Sequence, residues 1–336
     1  MGLRADQTIV IVTRATQLAS LKRKYATRSQ ARFQIISAKK RELARAGAAA
    51  AKIEAIADAI FDEIDAAAQV YDDIVARVRA ELEEDHDDIP VQLIDRDFLP
   101  NFIFGPNDIV VTIGQDGLVA NTAKYVLGRP IIAINPDPAR IDGVLLPLQA
   151  HQASSAVRGV LQGNAKFREV TLAQAALDDG QRLLAFNELF IGARSHVSAR
   201  YRLTLGGKSE PQSSSGVLVC TGAGSSGWLS SVFKMAGGLA SAFAPTGAKP
   251  SIAPLRLSWE DPRLVFVVRE PFVSRTSSAR IVAGIVDPNK QIIIESNMPS
   301  DGVIFSDGVE ADFLQFNSGA IARISAAEKK AKLVVP

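Results

Sequence analysis

The sequence has few of the residues that build disulfides or metal clusters. Among its 336 residues are one cysteine, Cys220, and three histidines, His86, His151 and His196. A single cysteine excludes an intrachain disulfide, and so sparse a set excludes a zinc site made of cysteine and histidine. This composition is typical of reduced proteins, so we expect a cytoplasmic location.

Long apolar runs and an excess of one charge are also missing. No run approaches the 18 or so apolar residues that a membrane span needs, and Met1–Thr8 lack the pattern of a signal peptide. The 38 basic and 36 acidic residues leave a net charge of +2. We therefore expect neither a nucleic-acid nor a membrane partner.

The small net charge of the whole chain conceals two segments that are each strongly charged. Residues 14–45 contain ten basic residues and one acidic residue, and residues 81–97 contain eight acidic residues and one basic residue. The first segment is either an anion-binding surface or a solvated helix face. The second either supplies carboxylates to a metal or is a solvated helix end before Pro90.

The first half of the chain has the pattern of a parallel α/β sheet. Four runs predict strands: 8–12, 91–94, 109–113 and 131–134. A helix is predicted over 118–127 between the last two of them. An apolar stripe with helical spacing predicts a buried helix face, formed by Ile53, Ile56, Ile60, Ile64, Tyr71, Ile74, Val78 and Leu82.

The second half is typical of antiparallel β structure. Short apolar runs separated by Gly, Pro, Ser and Asn predict strands at 201–205, 216–220, 263–269, 280–286 and 291–295. We expect an N-terminal α/β domain over 1–150, a β-rich domain over 151–305 and a C-terminal segment over 306–336. The boundary should lie between about residues 148 and 180.

The motif Gly114-Gln115-Asp116-Gly117 directly follows a predicted strand and precedes a predicted helix. Ligands of open α/β sheets bind at the carboxyl ends of strands, where the first N–H groups of a helix can bind phosphate. In such a site Asp116 would hold Mg²⁺ or accept a proton from an attacking hydroxyl. The alternative is an ordinary turn in which Asp116 is a helix N-cap.

A second glycine-rich loop, Thr221–Trp228, follows the predicted strand at 216–220. Its glycines match G-x-G-x-x-G, but the next acidic residue is Glu260, which excludes the dinucleotide-binding motif of dehydrogenases. Gly206-Gly207-Lys208-Ser209 lacks the first glycine of a Walker A motif and predicts a hairpin turn. Asn187 and Glu188 offer an amide and a carboxylate suited to sugar hydroxyls.

Four motifs in this order resemble the NAD kinases, and the resemblance covers nearly the whole chain. They are GQDG at 114–117, NPDPARIDGVLLP at 135–147, NELFIG at 187–192 and SSSGVLVCTGAGSSGW at 213–228. NPDP, CTGAGSSGW, REPF at 269–272 and QFNSGAIA at 315–322 are similar to the mitochondrial-type branch.

The resemblance implies a fold and a reaction. The fold is an N-terminal doubly wound α/β domain of the NAD kinase and diacylglycerol kinase type, on the ATP side, with a C-terminal β-rich domain that binds NAD. The reaction is phosphorylation of the 2′-hydroxyl of the adenosine ribose of NAD by ATP with Mg²⁺, which gives NADP. A homodimer or higher homo-oligomer is also implied.

The resemblance assigns roles to particular residues. Asp116 is the catalytic base and a candidate for Mg²⁺, and Asn187 and Glu188 contact the ribose. The remaining nucleotide-binding residues are Gly114, Gly117, Ser215, Thr221, Gly224, Ser225, Ser226 and Trp228.

The chain departs from the family pattern at this motif, and the departures leave alternatives open. Leu118 stands where a threonine usually follows. Gln115 replaces the second glycine of G-G-D-G, which would bring side-chain bulk near the triphosphate. One alternative is therefore a catalytically silent NAD-binding or regulatory homologue. Another is a related lipid or nucleoside kinase, in which residues 14–45 would face a membrane.

Overall fold

The computed structural model describes residues 7–47, 49–244, 252–253 and 255–336. The chain forms two compact units, and neither is a continuous stretch of sequence. The first comprises Met1–Leu118, Ile132–Ala165 and Pro336, and the second comprises Val119–Ile131 and Lys166–Val335. The domain limits predicted from the sequence stay predictions, and residues 1–6, on which the absence of a targeting segment partly depends, lie outside the described residues.

The division between the units passes through one helix and one strand, α4 after Leu118 and β4 after Ile131. The strands between residues 1 and 165 are β1 (Ile9–Thr13), β2 (Val91–Asp95), β3 (Ile109–Ile113), β4 (Pro130–Asn135) and β5 (Leu148–Gln149). The helices are α1 (Gln17–Tyr25), α2 (Arg28–Arg45), α3 (Ala50–Asp85), α4 (Asp116–Val126) and α5 (Ala153–Leu161). Short 3-10 helices span Arg96–Asn101 and Ala150–Gln152.

The first unit is built on a parallel sheet with the order β2-β1-β3-β4 and β5 beside β4. Strand β1 pairs in parallel with β2 and β3, and β4 with β5. All five residues of β1 and of β3 are buried, as expected for strands covered on both faces. The four predicted strands are confirmed to within one residue, and the predicted helix is α4.

Helix α3 buries only part of the predicted stripe. Tyr71, Val78 and Leu82 are buried as expected, but the Ile56 side chain is 42% exposed and Phe61 is fully buried instead. The reason is that α3 is 36 residues long and packs against different elements along its length. The amino-terminal half packs on α2, and the carboxyl-terminal half packs on α5 and β2, so the buried stripe shifts around the helix.

The basic segment 14–45 forms α1 and α2, and several of its charges are paired with carboxylates of α3. Arg28 binds Asp65 through two hydrogen bonds of 2.8 and 2.9 Å, and Arg32 and Lys40 bind Asp58 and Glu54. The segment is therefore a helix surface that is partly neutralised within its own unit. Helix α3 ends at Asp85, ahead of Pro90, as predicted.

The second unit contains two antiparallel sheets with the orders β11-β10-β15-β18-β7-β8 and β14-β13-β12-β9-β16-β17. Its strands are β6 (Lys166–Val170), β7 (Ala173–Leu177), β8 (Arg182–Ala185), β9 (Glu188–Ala193), β10 (Ala199–Leu205), β11 (Lys208–Ser214), β12 (Val217–Cys220), β13 (Leu264–Val268), β14 (Ala283–Val286), β15 (Ile292–Ser296), β16 (Gly302–Ser306), β17 (Val309–Gln315), β18 (Ile321–Ala326) and β19 (Ala331–Val335). Strand β19 pairs antiparallel with β6 and in parallel with Pro130 and Ile131.

The two sheets share one apolar core, with Tyr201, Phe266 and Phe316 among its largest side chains. Helix α6 (Trp228–Ala242) follows a 3-10 turn at Ala223–Ser226 and packs Leu229 on the other face of β12. Antiparallel β structure in the second half is confirmed, and with it the predicted α/β plus β-rich fold class. The predicted hairpin at Gly206-Gly207 joins β10 to β11.

One predicted strand is shorter than expected. The run 280–286 is a strand only over Ala283–Val286. The backbone N–H groups of Arg280 and Ile281 donate to the Glu210 carboxylate, so these residues do not pair with a neighbouring strand.

Candidate functional site

The GQDG motif lies at the carboxyl end of β3, and α4 begins within it at Asp116. A Cβ on Gly114 would lie 2.8 Å from Cδ2 of Leu118, so a larger residue there would require the Leu118 side chain to shift. A Cβ on Gly117 would meet nothing within 4 Å. Gln115 is exposed and its φ is not positive, so the loop has a conformation that a side chain allows.

Asp116 is half-buried and is the first residue of α4 rather than a cap before it. Its Oδ1 accepts a hydrogen bond of 2.6 Å from the backbone N–H of Leu145. Oδ2 accepts no hydrogen bond from the described residues. One oxygen thus orients the carboxylate, and the other is available to a proton donor or a cation.

A cavity of about 270 Å³ opens beside this motif, within the first unit. Its polar lining includes Arg14 after β1, Gln115 after β3, and Asp137 and Arg140 after β4. The cavity therefore lies at the carboxyl ends of three strands, where open α/β sheets bind ligands.

Arg14 is the most distinctive residue of this cavity. Its Nε is buried and has no hydrogen-bond partner, and its guanidinium lies 4.8 Å from the centre of the Tyr71 ring. The Tyr71 hydroxyl accepts from the N–H of Arg14 at 3.0 Å and donates to the carbonyl of Ile113 at 2.8 Å. Tyr71 thereby ties the ends of β1 and β3 together and holds Arg14 in place. Arg14 also lines the cavity, and a guanidinium at such a position is suited to binding an anion.

In the second unit, the segment Phe186–Glu188 is held from two sides. The Asp307 carboxylate accepts from the N–H groups of Phe186 at 3.0 Å, Asn187 at 2.6 Å and Glu188 at 3.3 Å. The Thr221 hydroxyl donates to the carbonyl of Phe186 at 2.6 Å, and its N–H donates to that of Asn187 at 2.9 Å. The backbone of this segment therefore has its hydrogen bonds satisfied by the protein.

The side chains of Asn187 and Glu188, by contrast, make no hydrogen bond to the described residues. Burial and the nearby charge of Asp307 raise the pKa of Glu188 to about 7. A carboxyl group without a partner, poised between its two protonation states near neutral pH, is typical of binding sites. Asn187 and Glu188 together offer hydrogen-bond donors and acceptors to hydroxyl groups.

The loop Thr221–Trp228 approaches the backbone of two other segments closely, and glycine allows this at two positions. A Cβ on Gly222 would lie 1.8 Å from the carbonyl oxygen of Ser258, and one on Gly224 would lie 2.1 Å from that of Asn187. Ser225 is buried and donates to the carbonyl of Gly222, whereas Ser226 is exposed. Ser225 thus serves the loop's own fold, and Ser226 is accessible to a ligand.

Trp228 begins α6 and stacks on Phe190, with ring centres 5.7 Å apart. The guanidinium of Arg269 lies over the same two rings, 5.2 Å from Trp228 and 5.9 Å from Phe190. Ser215 precedes β12 and Thr221 follows it, so these two residues lie roughly 20 Å apart at opposite ends of the strand, at about 3.3 Å per residue. The structure thus brings Asn187, Glu188, Thr221 and Gly224 together but not Ser215.

Four residues of these sites were not predicted as site residues: Arg14, Tyr71, Asp307 and Lys124, which donates to Ser306 next to Asp307. Two had a usable signal. Arg14 follows a predicted buried strand, and Asp307-Gly308 is a dipeptide typical of a two-residue hairpin turn. Tyr71 was assigned to the core face of a helix, and nothing in the spacing of Lys124 marks it.

Among the described residues, no group of three or more His, Cys, Asp or Glu side chains could hold a metal ion. Within the same residues, no helix has the length and hydropathy needed to cross a membrane. A cation that keeps waters and nucleotide phosphates as ligands needs only one or two carboxylates, and Oδ2 of Asp116 fits that role.

Comparison with known proteins finds similarity to NAD kinases in both sequence and structure. No family model matches the chain. It is 25% identical to mitochondrial NAD kinase 2 of Rattus norvegicus, in a match that covers 64% of each chain, and 25% identical to the Homo sapiens protein, over 62% of that protein. The resemblance to the NAD kinases is confirmed. The chain matches just under two thirds of the length of these relatives.

Solved structures of NAD kinases share the fold. A yeast NADH kinase complexed with NADH aligns with a TM-score of 0.55 at 15% identity, covering 99% of this chain and 84% of the other. An Archaeoglobus fulgidus NAD kinase in complex with ATP aligns with a TM-score of 0.50 at 18% identity, covering 77% of this chain and 88% of the other.

The cytoplasmic location predicted from the sequence is wrong. Both curated relatives are mitochondrial proteins by name. A single reduced cysteine is as typical of a mitochondrial matrix protein as of a cytoplasmic one, so cysteine usage did not separate the two compartments.

Proposed function

We propose that the chain is an NAD kinase that transfers the γ-phosphoryl group of ATP to the 2′-hydroxyl of the adenosine ribose of NAD and so contributes to NADP biosynthesis. The observation that carries this proposal is Asp116, oriented through Leu145 at the start of α4 and directly after Gln115, which lines a cavity together with Arg14. The names of the curated relatives support the same reaction.

The residues of the first unit suit the donor side of this reaction. Arg14 and Arg140 would bind phosphate oxygens of ATP, and the first N–H groups of α4 add further donors. Mg²⁺ held by the phosphates and water would neutralise phosphate charge, which leaves Oδ2 of Asp116 free to accept a proton. Because phosphoryl transfer depends mainly on positioning and charge stabilisation, the chain needs no covalent nucleophile.

The residues of the second unit suit the acceptor side. Asn187 and Glu188 would bind ribose hydroxyls through side chains that have no partner in the protein. Trp228 and Ser226 offer a ring face and an exposed hydroxyl. Asp116 accepts the proton of the 2′-hydroxyl, the oxygen bonds to the γ-phosphorus, and ADP leaves with the electrons of the broken P–O bond.

The test is NADP formation from NAD, ATP and Mg²⁺ by the wild type and by Asp116→Asn. We expect kcat to fall at least 100-fold in the variant, since a general base contributes about 10²- to 10⁴-fold, with little change in the KM for NAD. Asp142→Asn removes an exposed carboxylate from the loop before Leu145 and is the matched control. Near-normal turnover by Asp116→Asn would refute its role as the base.

The silent-homologue alternative is favoured by one observation, the Gln115 side chain at the cavity. It predicts that the wild type binds NAD but forms no NADP with ATP or another triphosphate. Gln115→Gly should then restore turnover. If the wild type is active, the loop accommodates Gln115 because its φ is not positive.

The oligomeric state is a separate part of the proposal. Met235 and Leu239 on α6, and Phe243 just after it, expose apolar side chains at a spacing of four residues. Such a stripe supports association between copies of the chain as a homodimer or larger homo-oligomer. Light scattering on the purified protein tests this, and a monomer at micromolar concentration would refute it.

A further inference from the structure

We infer that Asp307 is a positioning residue of the nucleotide site, which fixes the Asn187-Glu188 pair by binding three consecutive backbone N–H groups. The inference deepens the proposed function and rests on it for the identity of the ligand. Asp307 lies in neither of the glycine-rich motifs nor in the Asn-Glu motif.

Asp307 is placed for this role by a tight turn. Asp307 and Gly308 have φ values of +53° and +69° and connect β16 to β17, with Ser306 paired to Val309. Two consecutive residues with positive φ define the hairpin turn that Asp-Gly and Asn-Gly favour. The turn directs the Asp307 carboxylate at Phe186–Glu188, and the N–H of Asp307 also donates to the carbonyl of Glu188 at 3.0 Å.

Asp307 and Thr221 bind different backbone groups of the segment Phe186–Glu188. Asp307 binds its N–H groups, whereas Thr221 binds the carbonyls of Phe186 and Asn187. With the backbone fixed on both sides, the Asn187 and Glu188 side chains are left for a ligand. Such preorganisation lowers the entropy that binding costs.

Of the charges near Asp307, that of Lys124 favours its ionised form and that of Glu188 opposes it. Burial raises the pKa of Asp307, and this is opposed by the charge of Lys124 and by the three backbone N–H donors. Lys124, whose side chain is only 2% exposed, donates to Ser306 at 2.9 Å and lies 3.7 Å from Asp312. Lys124 thus supplies a buried cation to the same turn.

Asp307→Asn is the decisive variant because it preserves the turn. Asn-Gly suits the same backbone conformation, so the hairpin should form. The amide has one acceptor oxygen instead of two, and its NH₂ group would face an N–H donor of the segment. Asp312→Asn, which removes a carboxylate of the same turn region that does not contact Phe186–Glu188, is the matched control.

Two measurements on these variants decide the inference. Amide hydrogen exchange at residues 186–188 should accelerate at least tenfold in Asp307→Asn and not in Asp312→Asn. In turnover assays, the KM for NAD should rise at least fivefold while the KM for ATP stays within twofold. A purely structural role would lower the amount of active protein, and hence kcat, and leave both KM values unchanged.

Each result has one meaning. Unchanged exchange, or accelerated exchange with an unchanged KM for NAD, overturns the inference. If the wild type forms no NADP, the proposed function fails, and the dissociation constant for NAD by calorimetry replaces KM, with the same fivefold rise expected. If the wild type also fails to bind NAD, the inference fails with it.

Discussion

Glu188, which we propose as a binding residue, reduces the stability of the folded protein when it is ionised. Its carboxyl group is partly buried without hydrogen-bond donors, and burial and the charge of Asp307 raise its pKa to about 7. In the unfolded chain the pKa is near 4.5. The folded state therefore binds the proton more tightly, and folding stability falls as the pH rises from about 4.5 through 7.

Glu188→Gln should remove this penalty. The amide cannot ionise, so we expect a melting temperature a few degrees above that of the wild type at pH 8 and no difference at pH 4. Differential scanning calorimetry at both pH values measures this. Glu310→Gln, at an exposed carboxylate of the same unit, is the control. An equal shift at both pH values would contradict the ionisation argument.

Gly224 lies so close to the backbone of Asn187 that a larger residue does not fit there. A Cβ there would lie 2.1 Å from the carbonyl oxygen of Asn187, far inside van der Waals contact. Gly224→Ala should destabilise the protein by about 1–3 kcal/mol, the usual cost of overpacking, and displace Asn187. Gly117→Ala has open space and lies in α4, where alanine favours the helix by about 0.5–1 kcal/mol.

Denaturant unfolding of these two variants gives the comparison. Opposite signs of the change in unfolding free energy are expected. If both glycines tolerated alanine equally, the close approach of the loop to Asn187 would not be a constraint.

At the scale of elements, Glu210 on β11 holds the chain that leads into β14. Its carboxylate accepts from Ser278, Arg280, Ile281 and Gln212. Burial alone would raise the pKa of Glu210, but these hydrogen bonds outweigh it and the pKa is lowered. The ionised form thus stabilises the fold above the ordinary carboxyl range, and this is lost as the pH falls through the lowered pKa.

Glu210→Gln should therefore lower the denaturant midpoint at pH 7, and the difference from the wild type should shrink towards pH 3. Glu295→Gln, at an exposed position of the same sheet, should change the midpoint little at either pH. A pH-independent difference for Glu210→Gln would assign the effect to packing instead of charge.

The elements that could be predicted from the sequence are those whose pattern lies within a few consecutive residues. β1 and β3 are continuous apolar runs because both faces are covered, so their limits were predicted almost to the residue. β11 was missed because its sequence, KSEPQSS, is polar and contains Pro211, which an edge strand tolerates. The buried face of α3 shifts because a different helix packs against each half. The spacing of apolar residues does not reveal which helix that is.

At the scale of the whole molecule, the second unit is completed by the last strand of the chain. β19 pairs with β6 and with Pro130 and Ile131, and it buries Ala331, Leu333 and Val334. These pairings join segments about 165 and 200 residues apart in sequence, and no local pattern predicts them. The motifs of the site were found because each is short, whereas Asp307 acts on residues some 120 positions away.

Deletion of residues 331–336 should destabilise the second unit severely. Three buried apolar side chains and a strand partner are lost, at about 1.5–3 kcal/mol for each large side chain. Thermal unfolding and amide exchange of β6 measure the effect. Deletion of Pro336 alone, an exposed residue outside this unit, is the control. An unchanged melting temperature after the longer deletion would contradict the assigned pairing.

The turn at Asp307 has a consequence for the time at which the site forms. During synthesis, the Asn-Glu segment and the Thr221 loop leave the ribosome long before residue 307 is added. A nascent chain therefore carries Asn187 and Glu188 without the carboxylate that fixes their backbone. We expect dinucleotide binding to appear only after residue 307 has been translated and has left the ribosome.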